Sequence, residues 1–265
     1  MRVPNDVDSR MAVVTGASSG IGLEVARLLA ADGRPLVLVA RSAQKLTLIA
    51  QELAVQHRVR VETRVADLSQ PDFAGELCRE LRADGIRVSI LVNNAGVGLH
   101  GQFAEHDIDA IHRLIELNVK TLTTLTRLML PDMIAQGNGR ILNVASLVAY
   151  QPGGPMEAVY YATKAFVLSF SKGLAAELRG TGVTVTTLCP GPTKTGFDVA
   201  AGSNESTMYK RVPLMSAADV ARAGYRGMMR GAGIVIPGMF AKLLAVAGEL
   251  PPRRLALEVN RLLLQ

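Results

Sequence analysis

A tyrosine and a lysine four positions apart are the two residues of this chain best suited to move a proton. Tyr160 and Lys164 begin a segment whose apolar residues recur at helical spacing as far as Leu178. On a helix, residues i and i+4 share a face, so the phenol and the ammonium would meet. A nearby ammonium favours a phenolate, and a tyrosine tuned in this way exchanges a proton with a substrate oxygen. The spacing alone also fits an amphipathic helix that carries the two residues incidentally.

The composition limits the classes of protein to consider. The 265 residues are 49% hydrophobic and 20% charged, which is enough apolar material to bury a sizeable core. The formal net charge of +6 suits an anionic partner such as nucleic acid, anionic lipid or a phosphorylated small molecule. Because the basic residues are scattered and no aromatic residues alternate with them, we expect no nucleic-acid partner.

The cysteines and the N-terminus indicate a compartment. Cys78 and Cys189 lie far apart and form no metal-ligand pattern, so we expect buried free thiols, no metal site and a reducing compartment, the cytoplasm. Residues 1–10 are polar and lack the apolar core of a secretory signal. No uncharged run reaches 18 residues, so we expect no membrane-spanning helix.

A glycine-rich turn follows the first apolar run, Met11–Val14, which is typical of a buried parallel strand. The turn, Thr15–Gly22, leads into a helical pattern that closes at Asp32-Gly33. Glycines in this context let the backbone approach a pyrophosphate, which then rests on the helix N-terminus. The spacing is TGxxxGxG and not GxGxxG, so a tight turn without a ligand remains the alternative.

Two residues at strand ends are candidates for adenosine recognition. Arg41 follows the strand Leu36–Ala40, where a dinucleotide fold reads the ribose. An arginine there pairs with a 2′-phosphate, and the lack of a carboxylate predicts NADP over NAD; a solvated residue at a helix start is the alternative. Asp67 follows the strand Val59–Val65 and is expected either to bind the adenine amino group or to cap the turn.

The middle of the chain supplies amides and a serine. The strand Ile90–Val92 is followed by Asn93-Asn94-Ala95-Gly96, whose small residues let a flat ring lie close. A helix predicted from about residue 107 to 130 carries Asn118 among leucines, where the amide either bends the helix by binding backbone or holds a water. The strand Arg140–Ala145 places Ser146 at its carboxyl end.

The remaining segments complete an α/β pattern. We predict a strand at Val183–Leu188, a rigid turn through residues 189–195, a mobile lid at 196–212, a helix at 216–230 capped by Ser216 and Asp219, and a last strand at 233–237. Two short apolar helices follow residue 240. Strands that alternate with helices predict a doubly wound, mostly parallel, Rossmann-like sheet of six to seven strands with helices on both faces. We expect one domain over 1–265, with a core at about 10–237 and a helical extension at 238–265.

These motifs, in this order, make the chain resemble the short-chain dehydrogenase/reductase family across roughly residues 10–237. The resemblance implies that Tyr160 is the general acid/base, that Lys164 lowers its pKa and holds the nicotinamide ribose, and that Ser146 binds the substrate carbonyl. It implies that Asn118 holds a water that links Lys164 to solvent. Besides Tyr160 and Lys164, the implied cofactor contacts are Gly16, Ser18, Ser19, Gly20, Ile21, Gly22, Arg41, Asp67, Asn94, Ala95, Gly96, Pro190, Thr193 and Thr195.

The chain departs from the family pattern between Ser146 and Tyr160, where the spacing is one residue longer than is common. We expect the loop at Gly153-Gly154 to absorb the extra residue and to leave Ser146 in place. An apolar ketone or aldehyde is the favoured substrate, because apolar residues are expected around it: Leu99, Leu147, Val148, Tyr150, Pro155, Met156 and Phe197.

The expected activity is therefore NADP(H)-dependent interconversion of a carbonyl and an alcohol. A catalytically silent nucleotide-binding protein of the same fold is the alternative. Family habit predicts a homodimer or homotetramer through the long helices that contain Asn118 and Tyr160. The tail beyond residue 238 is expected to cover the substrate pocket, form a subunit contact, or touch a membrane surface as a basic amphipathic segment.

Overall fold

Strands and helices alternate along the chain from its first described residue. The computed structural model describes residues 10–202, 214–249, 257–258 and 260–261. The strands are β1 (Arg10–Thr15), β2 (Leu36–Ala40), β3 (Val61–Val65), β4 (Arg87–Asn93), β5 (Gly139–Val144), β6 (Val183–Leu188), β7 (Thr193–Lys194), β8 (Met215–Ser216) and β9 (Ile234–Val235). The α-helices are α1 (Gly20–Ala31), α2 (Ala43–His57), α3 (Phe73–Ala83), α4 (Ile108–Ile115), α5 (Leu122–Ala135), α6 (Ala158–Glu177), α7 (Phe197–Ala201), α8 (Ala217–Met229) and α9 (Met239–Glu249).

Seven strands form one parallel sheet in the order β3-β2-β1-β4-β5-β6-β9. The chain runs outward from β1 in one direction and then returns to β4 on the other side of β1. This reversal opens a crevice at the carboxyl ends of the strands, where ligands of such sheets bind. The predicted Rossmann-like, doubly wound sheet is confirmed.

Both faces of the sheet are buried, because successive side chains of a strand point to opposite sides. Met11 and Val13 pack with α3 and α5 on one face, in a cluster that includes Leu125. Val14 packs with α1, α2 and α8 on the other face, in a cluster that includes Leu29. Burial of each such side chain stabilises the fold by about 1.5–3 kcal/mol, so the register of the strands and the position of their carboxyl ends are firmly set.

The helix predicted over residues 107–130 is interrupted by a π-helical turn at Glu116–Thr121, between α4 and α5. The prediction ended the helix at about residue 130, but α5 continues past Pro131 to Ala135. Pro131 lies on the exposed side, where water can satisfy the carbonyl that loses its N–H partner, and Met133 anchors the last turn in the core. Tertiary packing therefore overrides the proline signal.

The last predicted strand, 233–237, is shorter than expected. Only Ile234 and Val235 pair with β6, and Pro237 has no N–H to extend the ladder. Residues 193–194 and 215–216 form a small parallel pair, β7 with β8, that the sequence did not indicate. The cap of the following helix is confirmed, since Ser216 Oγ accepts from Asp219 N at 3.1 Å and donates to its carboxylate at 2.7 Å.

The predicted lid and tail are described only in part. Within the predicted lid at 196–212, residues 197–201 form the helix α7, and residues 203–212 lie outside the described residues. The first tail helix is α9; of the second, residues 257–258 and 260–261 are helical and its other residues lie outside the description. In the described part of the chain, no helix is both long enough and apolar enough to cross a membrane.

Candidate active site

A cleft of about 630 Å³ lies along the carboxyl ends of the sheet strands. It is bordered by the glycine-rich turn, by the segments that follow β2, β4, β5 and β6, and by the start of α6. Most of the predicted site residues line it: Gly16, Ser18, Ser19, Gly20, Ile21, Arg41, Asp67, Asn94, Ala95, Gly96, Ser146, Tyr160, Lys164, Pro190, Thr193 and Thr195. The two predicted residues that do not line the cleft, Gly22 and Asn118, pack beneath this surface.

The glycine-rich turn is clamped to the segment after β4. Asn94 Nδ2 donates to Thr15 O at 2.9 Å and to Gly16 O at 3.2 Å, while Thr15 Oγ1 accepts from the backbone of Asn94 and Ala95 at 3.0 Å. A Cβ on Gly22 would lie 2.4 Å from both Gly16 O and Asn94 Nδ2. The bare backbone at this position is therefore a steric requirement of the turn.

The start of α1 fits an anion. Its N-cap residue, Ser19, makes no side-chain capping hydrogen bond, and its first turn holds no acidic residue. The first amides of a helix lack intrahelical partners, and together with the helix dipole they attract negative charge. With Gly16 and Gly20 in the left-handed region at φ +64° and +56°, the turn presents bare backbone to a phosphate group.

We expect Gly22→Ala to disrupt this turn. Since the added methyl group collides with backbone and with the Asn94 amide, the turn must move, and both the midpoint of thermal unfolding and the affinity for NADPH should fall. Gly173→Ala is the matched control, because Gly173 lies in α6 with open space around it. That change should keep NADPH affinity and stabilise by about 1 kcal/mol through helix propensity. Equal NADPH affinity and equal unfolding midpoints for the two variants would contradict this account.

Arg41 and Asp67, the two candidates for adenosine recognition, both line the cleft. Arg41 is exposed just after β2, and Lys45, one helical turn further on and also exposed, lines the cleft beside it. Asp67 accepts hydrogen bonds from Ser69 N at 3.1 Å and Ser69 Oγ at 2.7 Å. Burial alone would raise the pKa of Asp67, but these hydrogen bonds and the charge of Arg41 lower it. Asp67 therefore caps its turn and still borders the cleft.

Asn118 sits in the π-helical turn and is almost fully buried. Its Oδ1 accepts from Val97 N at 3.0 Å, and its Nδ2 donates to Val97 O at 2.9 Å and to Thr163 Oγ1 at 3.1 Å. Of the two predicted uses of this amide, binding backbone is the one that the structure shows. Asn118 thereby links the segment after β4 to α6, the helix that carries Tyr160 and Lys164.

Lys164 lies under the cleft floor with 5% of its surface exposed. Its Nζ donates to Val144 O at 3.0 Å and lies 5.7 Å from the centre of the Tyr160 ring. Burial lowers the pKa of Lys164 to about 8, and Cys189 opposes that shift. The group is thus mostly an ammonium at neutral pH, and it lies close to the ring of Tyr160 as the i, i+4 spacing predicted.

Ser146 follows β5 and starts a short 3₁₀ turn, with its Oγ accepting from Val148 N at 3.3 Å. It shares the cleft with Tyr160 despite the longer spacing between them. Gly154 lies against the ring of Tyr161, where a Cβ would come within 2.3 Å of that ring. Ser146 therefore lies at the strand end, and Gly154 is packed closely against Tyr161.

The sequence profile of the short chain dehydrogenase family matches residues 10–206. The chain belongs to this family. Sulfoacetaldehyde reductase 2 of Chromohalobacter salexigens is 38% identical over 220 residues, which cover 80% of this chain and 86% of that protein. The family match and this relative place the chain among the oxidoreductases.

Solved structures of the short-chain dehydrogenase family match over nearly the whole chain. A short-chain dehydrogenase from Sphingobium yanoikuyae in complex with NADPH has a TM-score of 0.80 at 35% identity, covering 90% of this chain and 92% of that one. The bulky-bulky ketone specific alcohol dehydrogenase from Comamonas testosteroni has a TM-score of 0.75 at 31% identity, covering 91% and 95%. The relatives of this chain therefore include an alcohol dehydrogenase and a protein solved in complex with NADPH.

The lining of the cleft differs from the prediction in two ways. Leu147, Val148 and Phe197 line it as expected, but four other predicted apolar residues do not: Leu99, Tyr150, Pro155 and Met156. Tyr150, for example, packs against Leu147 and Ala241 of the tail helix. The prediction missed Lys45, which the four-residue spacing from Arg41 could have indicated, and Glu157, which nothing in the sequence marked.

Proposed function

We propose that this chain is an NADP(H)-dependent oxidoreductase that interconverts a carbonyl and an alcohol. The observation that carries the proposal is the buried Lys164 ammonium beside the Tyr160 ring, in a cleft that the glycine-rich turn also lines. A dinucleotide whose phosphates rested on that turn would lie in the same cleft as Tyr160. The bare backbone at Gly16 and Gly22 and the uncapped start of α1 fit such a group.

Each residue has a part in the proposed chemistry. When bound, NADPH would supply a hydride to the carbonyl carbon, and NADP⁺ would accept a hydride from the alcohol carbon in the reverse direction. Ser146 donates a hydrogen bond to the carbonyl oxygen, and Tyr160 gives that oxygen its proton or takes it back. Lys164 stabilises the phenolate electrostatically and binds the nicotinamide ribose, because its ammonium has hydrogen-bonding capacity beyond Val144 O. Asn118 positions α6 and holds, in this proposal, a water that links Lys164 to solvent.

The charge pattern near β2 supports NADP over NAD. Arg41 and Lys45 place two exposed cations at the strand end that reads the ribose, and no carboxylate follows β2 directly. Arg64, the nearby basic residue on β3, is already engaged with Glu62 and Asp84. The NADPH-bound relative from Sphingobium yanoikuyae agrees with this preference.

We expect Arg41→Asp to change the cofactor preference. Loss of a charge-assisted hydrogen bond to the 2′-phosphate, and repulsion by the new carboxylate, should weaken NADPH binding about tenfold to a hundredfold, while NADH binding holds or improves. Fluorescence titration of both cofactors measures this. Arg79→Asp is the matched control, since it makes the same charge change at an exposed position on α3. Equal affinity of the unchanged protein for NADH and NADPH would contradict the NADP assignment.

Three further proposals concern the surroundings of the enzyme. A homodimer or homotetramer through α4–α6 is supported by exposed apolar residues there, Ile115 and Phe166. Contact of the tail with a membrane surface is supported by exposed Phe240, Leu243 and Val246 on α9. A cytoplasmic location is supported by Cys78 and Cys189, which are buried free thiols as predicted.

A further inference from the structure

Glu157 is a buried carboxyl group at the reacting end of the cleft. It is the N-cap residue of α6, three positions before Tyr160, and it lines the same cleft. Only 6% of its surface is exposed. An acidic residue at a helix start ordinarily stabilises the helix, but the Glu157 side chain makes no capping hydrogen bond. Helix capping therefore does not account for a carboxyl group at this place.

The Glu157 carboxyl group has a histidine as a neighbour. One oxygen, Oε1, lies 3.4 Å from His100 Nδ1, and the residue borders the cleft, so the carboxyl group keeps hydrogen-bonding capacity for a group bound there. Burial lowers the pKa of His100, so this neighbour brings little positive charge at neutral pH. Burial also raises the pKa of Glu157 to about 7. A mostly buried carboxyl group that lines the cleft and caps no helix is placed to bind a donor group of a ligand.

The side chains around Tyr160 are otherwise apolar. Val148 packs against the Tyr160 ring, the Phe197 ring centre lies 5.6 Å from that of Tyr160, and Leu147 follows Ser146 in the lining. A substrate held here contacts apolar side chains on most sides. Apart from Ser146 and Tyr160, which bind its carbonyl oxygen in the proposed function, it contacts one hydrogen-bond acceptor, Glu157. A hydroxyl group on the substrate is the neutral donor that fits such an acceptor.

We propose that Glu157 determines specificity by accepting a hydrogen bond from a substrate hydroxyl near the reacting carbon. The inference rests on the proposed function. It narrows the substrate class to hydroxy ketones and hydroxy aldehydes, with the corresponding diols in the reverse direction, in place of the plain apolar carbonyl that the sequence favoured. A sulfonate or carboxylate at the same position is disfavoured above the pKa of Glu157, because its negative charge would lie against the ionised carboxyl group.

The test uses pairs of ketones that differ only in a hydroxyl against a methyl group: hydroxyacetone with butanone, and 2-hydroxyacetophenone with propiophenone. Rates of NADPH oxidation give kcat/KM for each ketone with wild type, Glu157→Gln and Glu157→Leu. At a pH above the pKa of Glu157, where the group is a carboxylate, we expect wild type to favour each hydroxy ketone by about tenfold or more, as one charge-assisted hydrogen bond provides. Glu157→Gln keeps an acceptor oxygen and should keep part of the preference, and Glu157→Leu should lose it.

The matched control is Glu177→Leu, an exposed glutamate at the other end of α6, which should leave the preference unchanged. Calorimetric binding of the same ketones to the NADP⁺ complex gives the ratio without any turnover. An equal preference in wild type and Glu157→Leu, by either measurement, would overturn the role of Glu157. If no carbonyl compound elicits NADPH oxidation, the result would instead count against the proposed function. The binding ratio would still decide the role of Glu157.

Discussion

Tyr160→Phe is expected to lower turnover by about a hundredfold to ten-thousandfold, the usual contribution of a positioned general acid or base. The substitution removes one hydroxyl group and keeps the ring, so the contacts with Phe197 and Tyr161 persist. Because Tyr160 lies on α6 and the glycine-rich turn, the proposed phosphate site, follows β1, NADPH affinity should stay close to that of wild type. Steady-state rates and a fluorescence titration of NADPH separate the two effects.

The adjacent tyrosine supplies the matched control. Tyr161 is buried, lies outside the cleft lining and packs against Gly154 and Val148. Tyr161→Phe removes the same hydroxyl one position away, so it should leave kcat near the wild-type value even if it lowers the unfolding midpoint. Retained turnover in Tyr160→Phe, or an equal loss in both variants, would show that Tyr160 is not the proton donor.

Lys164→Met is expected to separate activity from stability. Loss of the ammonium removes the charge that stabilises the Tyr160 phenolate, so kcat should fall by about a hundredfold or more. Methionine fills the same apolar space without burying a charge. The fall in the Lys164 pKa from 10.5 to about 8 corresponds to a burial cost of about 3 kcal/mol, against about 1 kcal/mol for the lost hydrogen bond to Val144 O. The variant should therefore be at least as stable as wild type near pH 7.

The stability difference between wild type and Lys164→Met should depend on pH, because the pKa of Lys164 is lowered in the folded state. Between about pH 8 and 10.5, Lys164 binds more protons in the unfolded state than in the folded state, so wild-type stability gains from rising pH there. Lys164→Met lacks this gain, and its stability advantage should shrink from neutral pH toward pH 10. Denaturant unfolding at the two ends of this range measures the change.

Lys172→Met is the control for Lys164→Met. Lys172 lies on the same helix, exposed, with its Nζ 5.6 Å from the ring centre of another tyrosine, Tyr150. Its substitution leaves the Tyr160–Lys164 pair in place and should change neither kcat nor the pH dependence of stability. Full activity in Lys164→Met, or a stability loss that alone explains its inactivity, would refute the proposed role of Lys164.

The sequence predicted the sheet and most of the cleft because both follow from local patterns. Short apolar runs such as Leu36–Ala40 specify buried parallel strands, and parallel strands bring their carboxyl ends to one edge. Residues that directly follow those runs, Arg41 and Ser146 among them, are therefore placed by topology alone. The i, i+4 spacing of Tyr160 and Lys164 needed only a helix to bring the side chains together.

What the sequence did not predict depends on contacts between distant segments. The π-helical turn at Asn118 is accompanied by side-chain hydrogen bonds to Val97 and Thr163, which are not neighbours in the chain. Glu157 reads locally as an ordinary acid at a helix start, and only its burial beside His100 marks it as a cleft residue. The continuation of α5 past Pro131 likewise depends on packing of Met133 in the core.

Mass spectrometry of the alcohol formed from NADPH that carries deuterium at both C4 positions is the most direct measurement of the proposed activity. With the preferred ketone of the matched pairs, wild type should place one deuterium per molecule on the former carbonyl carbon. Tyr160→Phe should bind the same cofactor and form alcohol at a rate lower by about a hundredfold or more. Alcohol that carries no deuterium, or equal formation by the two proteins, would contradict hydride transfer assisted by Tyr160.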